Sequence, residues 1–232
     1  MTAGGVVLLN KPGRWSIFMN LQLKKNLLSV LAFVGFIWAV YLINLPLQLS
    51  KYDLNLFGLQ PRTLRGLIGI FTMPFLHDGL NHLLGNTVPL VVLLLMLTFT
   101  RTNPRRIVVC LCVISGAMLW VIGWDRARVH VGASGLIYAL AVFLMAAGYY
   151  ERKVISIIVA LLVAVLYGGL FWGLLPTAGR DVSWDGHLWG AVAGGVFASQ
   201  TVGRLGRRQQ QLATGAESPT MSDVSANSAD AG

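Results

Sequence analysis

The chain has 232 residues, 55% hydrophobic and only 12% charged, with a formal net charge of +9 and a mean hydropathy of +0.66. Soluble domains carry about 25% charged residues, so the composition excludes a soluble globular fold, and its apolar content excludes disorder for the bulk of the chain. A helix needs roughly 20 residues to cross the hydrocarbon core, which leaves room for about six crossings in one compact membrane domain.

In chain order, residues 1–26 form a short basic lead with Lys11, Arg14, Lys24 and Lys25. The first long apolar run, 27–47, has no small-residue cleavage site after a short core, which predicts a retained span rather than a removable signal. Residues 48–80 are mixed. Their apolar stretch 67–76 is short and broken by Gly69 and Pro74, which predicts an interfacial or partly embedded segment. Five further spans are predicted over 83–100, 107–124, 134–150, 154–175 and 186–202, with tight connections at 101–106, where Pro104 suits a turn, and at 151–153. From Arg204 onward the chain is rich in Gln, Ser, Ala and Gly, and 204–232 reads as a disordered cytoplasmic tail. The expected organisation is thus a lead (1–26), a six-transmembrane-helix bundle (27–203) and a tail (204–232), without internal repeats.

Cys110 and Cys112 lie in an apolar run with no further Cys or His nearby, and read as small buried hydrophobes rather than metal ligands. The basic residues fall in short clusters beside apolar runs, as juxtamembrane charges do, so the net charge requires no nucleic-acid partner. Twelve of the eighteen Lys and Arg collect on one side of the predicted spans and six on the other. That asymmetry predicts both termini in the cytoplasm and a multi-pass protein of the cell membrane, with the bilayer as its first partner.

Polar groups inside spans are costly and mark function by default. Here they are His82 and Asn86 at the start of the second span, Ser134 and Tyr138 in the fourth and His187 in the sixth. All three spans run inward under the predicted topology, so these groups share one depth near the extracytoplasmic face. A serine hydroxyl becomes nucleophilic only when a base takes its proton, and imidazole titrates in the right range. Ser134 lies in Gly132-Ala133-Ser134-Gly135 at a helix start, where glycines permit a sharp turn and leave N–H groups free to face an oxyanion. His82 and Asn86 share a helix face, and both can donate. Gly186, Gly190 and Gly194 repeat every four residues beside His187, a stripe that lets helices pack closely. Tyr138, one turn from Ser134, is positioned to stack on an imidazole.

Three blocks carry a resemblance: His82-x-x-x-Asn86, preceded by Phe75-Leu76-His77; Gly132-Ala133-Ser134-Gly135 through Ala139; and Gly186-His187-Leu188-Trp189-Gly190 through Gly194. In motif, order and span they are similar to the rhomboid family of intramembrane serine proteases, over roughly residues 27–203. The resemblance implies an all-α six-helix fold, Ser134 as nucleophile and His187 as general base without an acidic third member. It further implies an oxyanion hole of His82, Asn86 and the Ser134 backbone, with Tyr138 supporting His187 and Gly132, Gly135, Gly190 and Gly194 shaping the site. The implied partners are single-pass membrane proteins cleaved near the extracytoplasmic face, with no cofactor and no metal. Two departures stand out. The Trp-Arg pair that many relatives carry in the first loop is absent, with Arg62 and Arg65 there instead, and Val131 precedes Gly132. The rival reading is a non-catalytic rhomboid-like protein that binds client transmembrane helices. A transporter would need charges or broken helices near the midplane, and the spans carry no such charges.

Overall fold

The structure is a computed structural model that describes residues 14–176 and 183–204. Half of the expected lead and nearly all of the expected tail therefore lie outside the described residues, with Lys11, Arg180, Arg207 and Arg208. The regular elements are helical: α1 (Arg14–Leu47), α2 (Gly66–Thr72), α3 (Leu80–Thr100), α4 (Pro104–Ile122), α5 (Ser134–Glu151), α6 (Val154–Tyr167) and α7 (Trp184–Ala198). Short 3-10 turns lie at Leu54–Phe57, Met73–Phe75 and Gly168–Leu174, and a π-helical turn at Ser199–Gly203 continues α7. Among the described residues the only β pairing is a single bridge between Leu59 and His130.

Among the described residues, five helical segments are long and apolar enough to cross a membrane: Gln22–Leu47 within α1, then α3, α4, α5, and Val154–Leu174, which is α6 with its 3-10 extension. The expected sixth span is shorter, with 15 residues of α-helix in α7 before the π turn. The chain is an all-helical multi-pass membrane protein. Its outward faces fit that solvent: α6 exposes Val154, Ile155, Leu161, Val165 and Leu166, side chains that hydrocarbon accommodates and water does not. The helix of α1 also begins well before the apolar run does, at Arg14 rather than near Leu27.

The core forms where helices bury one face. In α1, Val30, Val34, Ile37 and Tyr41 recur every three or four residues and pack with Leu83, Leu90, Leu94 and Leu97 of α3. Helix α5 is the axis of the bundle, buried on nearly all sides from Gly135 to Gly148. Gly190 and Gly194 of α7 lie directly on the backbone carbonyls of Gly135 and Ala139, where any β-carbon would collide; this is close packing by small residues. Gly186 differs from the expected continuous stripe. Its α-carbon faces Ser183, and its carbonyl is what approaches Gly135. At one end of the bundle Arg101 pairs with Glu151 (2.6 Å), which also accepts a hydrogen bond from Ser156, joining α3, α5 and α6. That end carries the 101–103 and 152–153 turns; the candidate site occupies the other.

The predicted interfacial segment is α2 with its 3-10 continuation, and the first loop is anchored despite lacking the Trp-Arg pair. Arg62, at φ 56°, donates through Nη2 to the Gly123 carbonyl (2.7 Å), and Trp120 of α4 donates to the Thr63 carbonyl (2.9 Å). Cys110 and Cys112 are free thiols, each half-buried rather than fully buried. Two residues apart on one helix, they point in different directions, and Cys112 is the one packed on the core.

Candidate active site

Four segments converge at the site end: the start of α3, the turn before α5, the 3-10 extension of α6 and the start of α7. On α3, Asn86 is buried and donates through Nδ2 to the His82 carbonyl (3.0 Å). That bond settles which end of the amide is the donor and leaves its second N–H free. Gly132 has φ +110°, a conformation that favours glycine. A β-carbon there would sit 2.5 Å from His82 Nε2 and 3.6 Å from Asn86 Nδ2, so the residue is glycine both for its backbone angle and for lack of room. Its N–H donates to the Met73 carbonyl (3.0 Å), fixing the turn on the first loop. Two residues later the half-buried Ser134 opens α5, whose first N–H groups have no intrahelical acceptors.

Across from this turn stands His187, in the first turn of α7. Its ring stacks on Tyr138, with centroids 4.3 Å apart and planes within 12°. His187 Nδ1 lies 2.9 Å from the Gly173 carbonyl. A carbonyl only accepts, so Nδ1 carries the proton and neutral His187 keeps its Nε2 lone pair unprotonated. The Tyr138 hydroxyl donates to the Leu170 carbonyl (2.7 Å). Both acceptors belong to Gly168–Leu174, where the helix tightens to 3-10 after Tyr167. The expected span 154–175 is therefore one segment in two conformations. The Gly168-Gly169 pair weakens the α-helix there, and the tightened backbone presents two carbonyls to the Tyr138–His187 stack.

A second set of contacts fixes these elements to one another. His130 exchanges both backbone hydrogen bonds with Leu59 (2.9 and 2.7 Å), and its Nδ1 lies 2.6 Å from the Ser183 hydroxyl. Burial pushes its imidazole below the usual histidine range, opposed by nearby Asp185. Asp185 accepts from the N–H groups of Trp124 (3.1 Å) and Gly186 (3.0 Å). The turn that delivers Ser134 is thereby tied to the first loop and to the helix start that delivers His187. His77 is buried with neither ring nitrogen hydrogen-bonded among the described residues, and its ring lies 5.0 Å from that of His82.

The residues singled out in sequence thus fall into two contacting groups, His82 with Asn86 and Gly132, and Tyr138 with His187; Ser134 lies between them along the chain. Gly135, Gly190 and Gly194 serve the packing of α5 on α7. The Ser134 hydroxyl makes no hydrogen bond to His187; such pairs are often long without substrate and tighten in the complex. Sequence reading missed the carbonyls of Leu170 and Gly173, which have no side-chain signature. It also missed His130, Asp185 and Asp78, whose carboxylate lies 2.6 Å from His82 Nδ1. Of these only Asp78 carried a usable signal, an acid four residues before a histidine at a helix start.

The family model for the rhomboid domain matches residues 64–204. An uncharacterized protein of Mycobacterium tuberculosis (strain H37Rv) is 37% identical over 184 residues, covering 73% of this chain and 72% of the relative. An uncharacterized protein of Mycobacterium leprae is 33% identical over 177 residues, covering 73% and 69%. No solved structure matches. With a domain match that spans the α2–α7 bundle and both groups of polar residues, the chain belongs to the rhomboid family of intramembrane proteases.

Proposed function

We propose that the protein is a serine endopeptidase that cleaves single-pass membrane proteins near the extracytoplasmic face, through a Ser134–His187 dyad. The observation that carries this reading is the anchoring of His187: stacked on Tyr138 and donating from Nδ1 to Gly173, the ring keeps Nε2 as a proton acceptor without a carboxylate behind it. In the proposed step Nε2 takes the Ser134 Oγ proton as Oγ bonds to the scissile carbonyl carbon. The oxyanion so formed is met by the Ser134 N–H, the free Asn86 N–H and His82. His187 then returns the proton to the leaving amine, and a water, activated the same way, hydrolyses the acyl-enzyme. Six crossings with α7 as the last, both termini cytoplasmic and residence in a bacterial inner membrane complete the proposal; the Lys and Arg asymmetry supports that orientation.

Covalent labelling by a fluorophosphonate in liposomes is the test. The wild-type protein should label, Ser134→Ala should not, and His187→Ala should label at least 10²-fold more slowly, because nucleophile and base act as a unit. A folded wild-type protein that neither labels nor cleaves would favour the client-binding reading.

A further inference from the structure

Toward the end of the bundle away from the candidate site, α1 packs along α3 while α4 stands apart from it. The gap is a groove of about 630 Å³ between the three helices. Its walls are apolar, with Phe33, Phe36, Leu94, Val108 and Val109 among them. Phe75 closes the inner end, its ring 5.5 Å from that of Phe33 and 5.2 Å from that of Phe36. Phe36 and Val109 are more than half exposed, so the groove opens sideways, where a membrane-embedded bundle meets lipid. The mouth has the opposite character. Lys25 of α1 and Arg105 of α4 line it from two sides, and Arg105 Nη2 donates across it to the Ser29 hydroxyl (2.7 Å). Neither cation has a carboxylate partner among the described residues, where Glu151, the one acid at this end, is taken by Arg101.

A void with apolar walls suits hydrocarbon rather than water, and its depth selects which hydrocarbon. Lys25 and Phe36 are eleven residues apart on one helix, which at 1.5 Å per residue is about 16 Å. One leaflet of the hydrocarbon core is about 15 Å deep, half of the whole. A spanning helix would need twice that depth, and the Phe75 cluster stands in its way. We propose that the groove binds one anionic phospholipid, with an acyl chain between α1, α3 and α4 and the headgroup phosphate between Lys25 and Arg105. The apolar walls accept any acyl chain, so the cations supply the selectivity. A phosphate with no cationic group of its own satisfies both, whereas the choline of a zwitterionic lipid meets them as a like charge. Under the proposed orientation the mouth opens on the cytoplasmic leaflet, whose surface is negative. The bound lipid tethers α1 to α4, two helices otherwise joined through Ser29 and Arg105. This inference is independent of the serine-protease reading.

The test is lipid retention by the full-length protein in a non-ionic detergent, titrated with phosphatidylglycerol or with phosphatidylcholine of identical chains. Native mass spectrometry counts the lipids kept, and Tm follows binding to the folded state. The wild type should retain one phosphatidylglycerol per chain, bound about tenfold or more tighter than phosphatidylcholine, and its Tm should rise with phosphatidylglycerol concentration. Each Lys or Arg beside an anionic headgroup is worth about fivefold in affinity, so Lys25→Gln/Arg105→Gln should bind about 25-fold more weakly. Lys24→Gln/Arg106→Gln removes the same charge from the same end but not from the groove, and should leave retention nearly unchanged. Ala32→Trp fills the groove from an exposed wall position with both cations in place, and should abolish retention. Equal weakening in the two double variants would reveal a diffuse surface field, and full retention by folded Ala32→Trp would mean that no chain enters the groove. Either result, or a wild type that does not prefer phosphatidylglycerol, overturns the proposal. The double variants alter only exposed side chains, so the comparison between them decides the matter even if Ala32→Trp fails to fold. Retention needs no turnover, so its outcome is separate from that of Ser134.

Discussion

At the scale of residues, a histidine proposed as a base needs its second nitrogen occupied, and a peptide carbonyl occupies Nδ1 of His187. The donors opposite it allow a graded test. If Asn86 stabilises charge that exists only near the tetrahedral intermediate, Asn86→Ala should lower kcat by roughly 10²–10³ with little change in KM. If it only ties helices together, the same variant should lose Tm while turnover per folded molecule stays normal, so both are measured on one preparation. His77 gives a prediction about pH. Its folded value of about 4 lies below the ordinary 6.5, so between those values the unfolded chain binds the extra proton and stability falls as pH falls. The whole effect is worth about 3 kcal/mol, fully present above pH 6.5 and lost progressively toward pH 4. Thermal unfolding of His77→Leu in detergent should depend less on pH across that window than that of the wild type. Ser134, His187 and Tyr138 stood out in the sequence because polar side chains in apolar runs are conspicuous. The carbonyls that anchor Tyr138 and His187 could not, since every residue has one.

At the scale of elements, helix boundaries were legible to within a few residues at the 101–106 and 151–153 connections, where apolar runs meet charge clusters, but not at the start of α1, whose helix runs back through Lys24 and Lys25 to Arg14. The change of winding at Gly168 was not, because an apolar run reads alike as α-helix or 3-10. Packing of α5 against α7 sets the distance between Ser134 and His187, and Gly190 and Gly194 are the points where the two backbones meet. Gly194→Val would push a branched side chain into the Ala139 carbonyl. Overpacking of this kind costs about 1–3 kcal/mol, so Tm should drop and turnover should fall with it, whereas Gly85→Ala, with open space at its α-carbon, should leave Tm unchanged. An unaltered Tm in Gly194→Val would mean the two helices are not held as described.

At the scale of the molecule, the proposed orientation predicts reporter fusions after Thr100, Lys153 and Val202 that read cytoplasmic, and fusions within 55–75 and 176–184 that read extracytoplasmic. An opposite sign for 176–184 would separate His187 from the face that carries His82, and would end the dyad proposal. The proposed orientation rests on charge distribution alone. What composition does not convey is the clamp formed by Leu59, His130, Ser183 and Asp185, since it joins segments separated by more than fifty residues.

The last turn of the α6 segment supplies both acceptors for the Tyr138–His187 stack, yet α6 itself is the spanning segment most exposed to lipid. Its far end is held through Ser156 and Glu151. Under the proposed mechanism the orientation of the general base therefore depends on a segment that carries none of the proposed catalytic side chains, so a substitution within Gly168–Leu174 can reach His187 through backbone carbonyls alone.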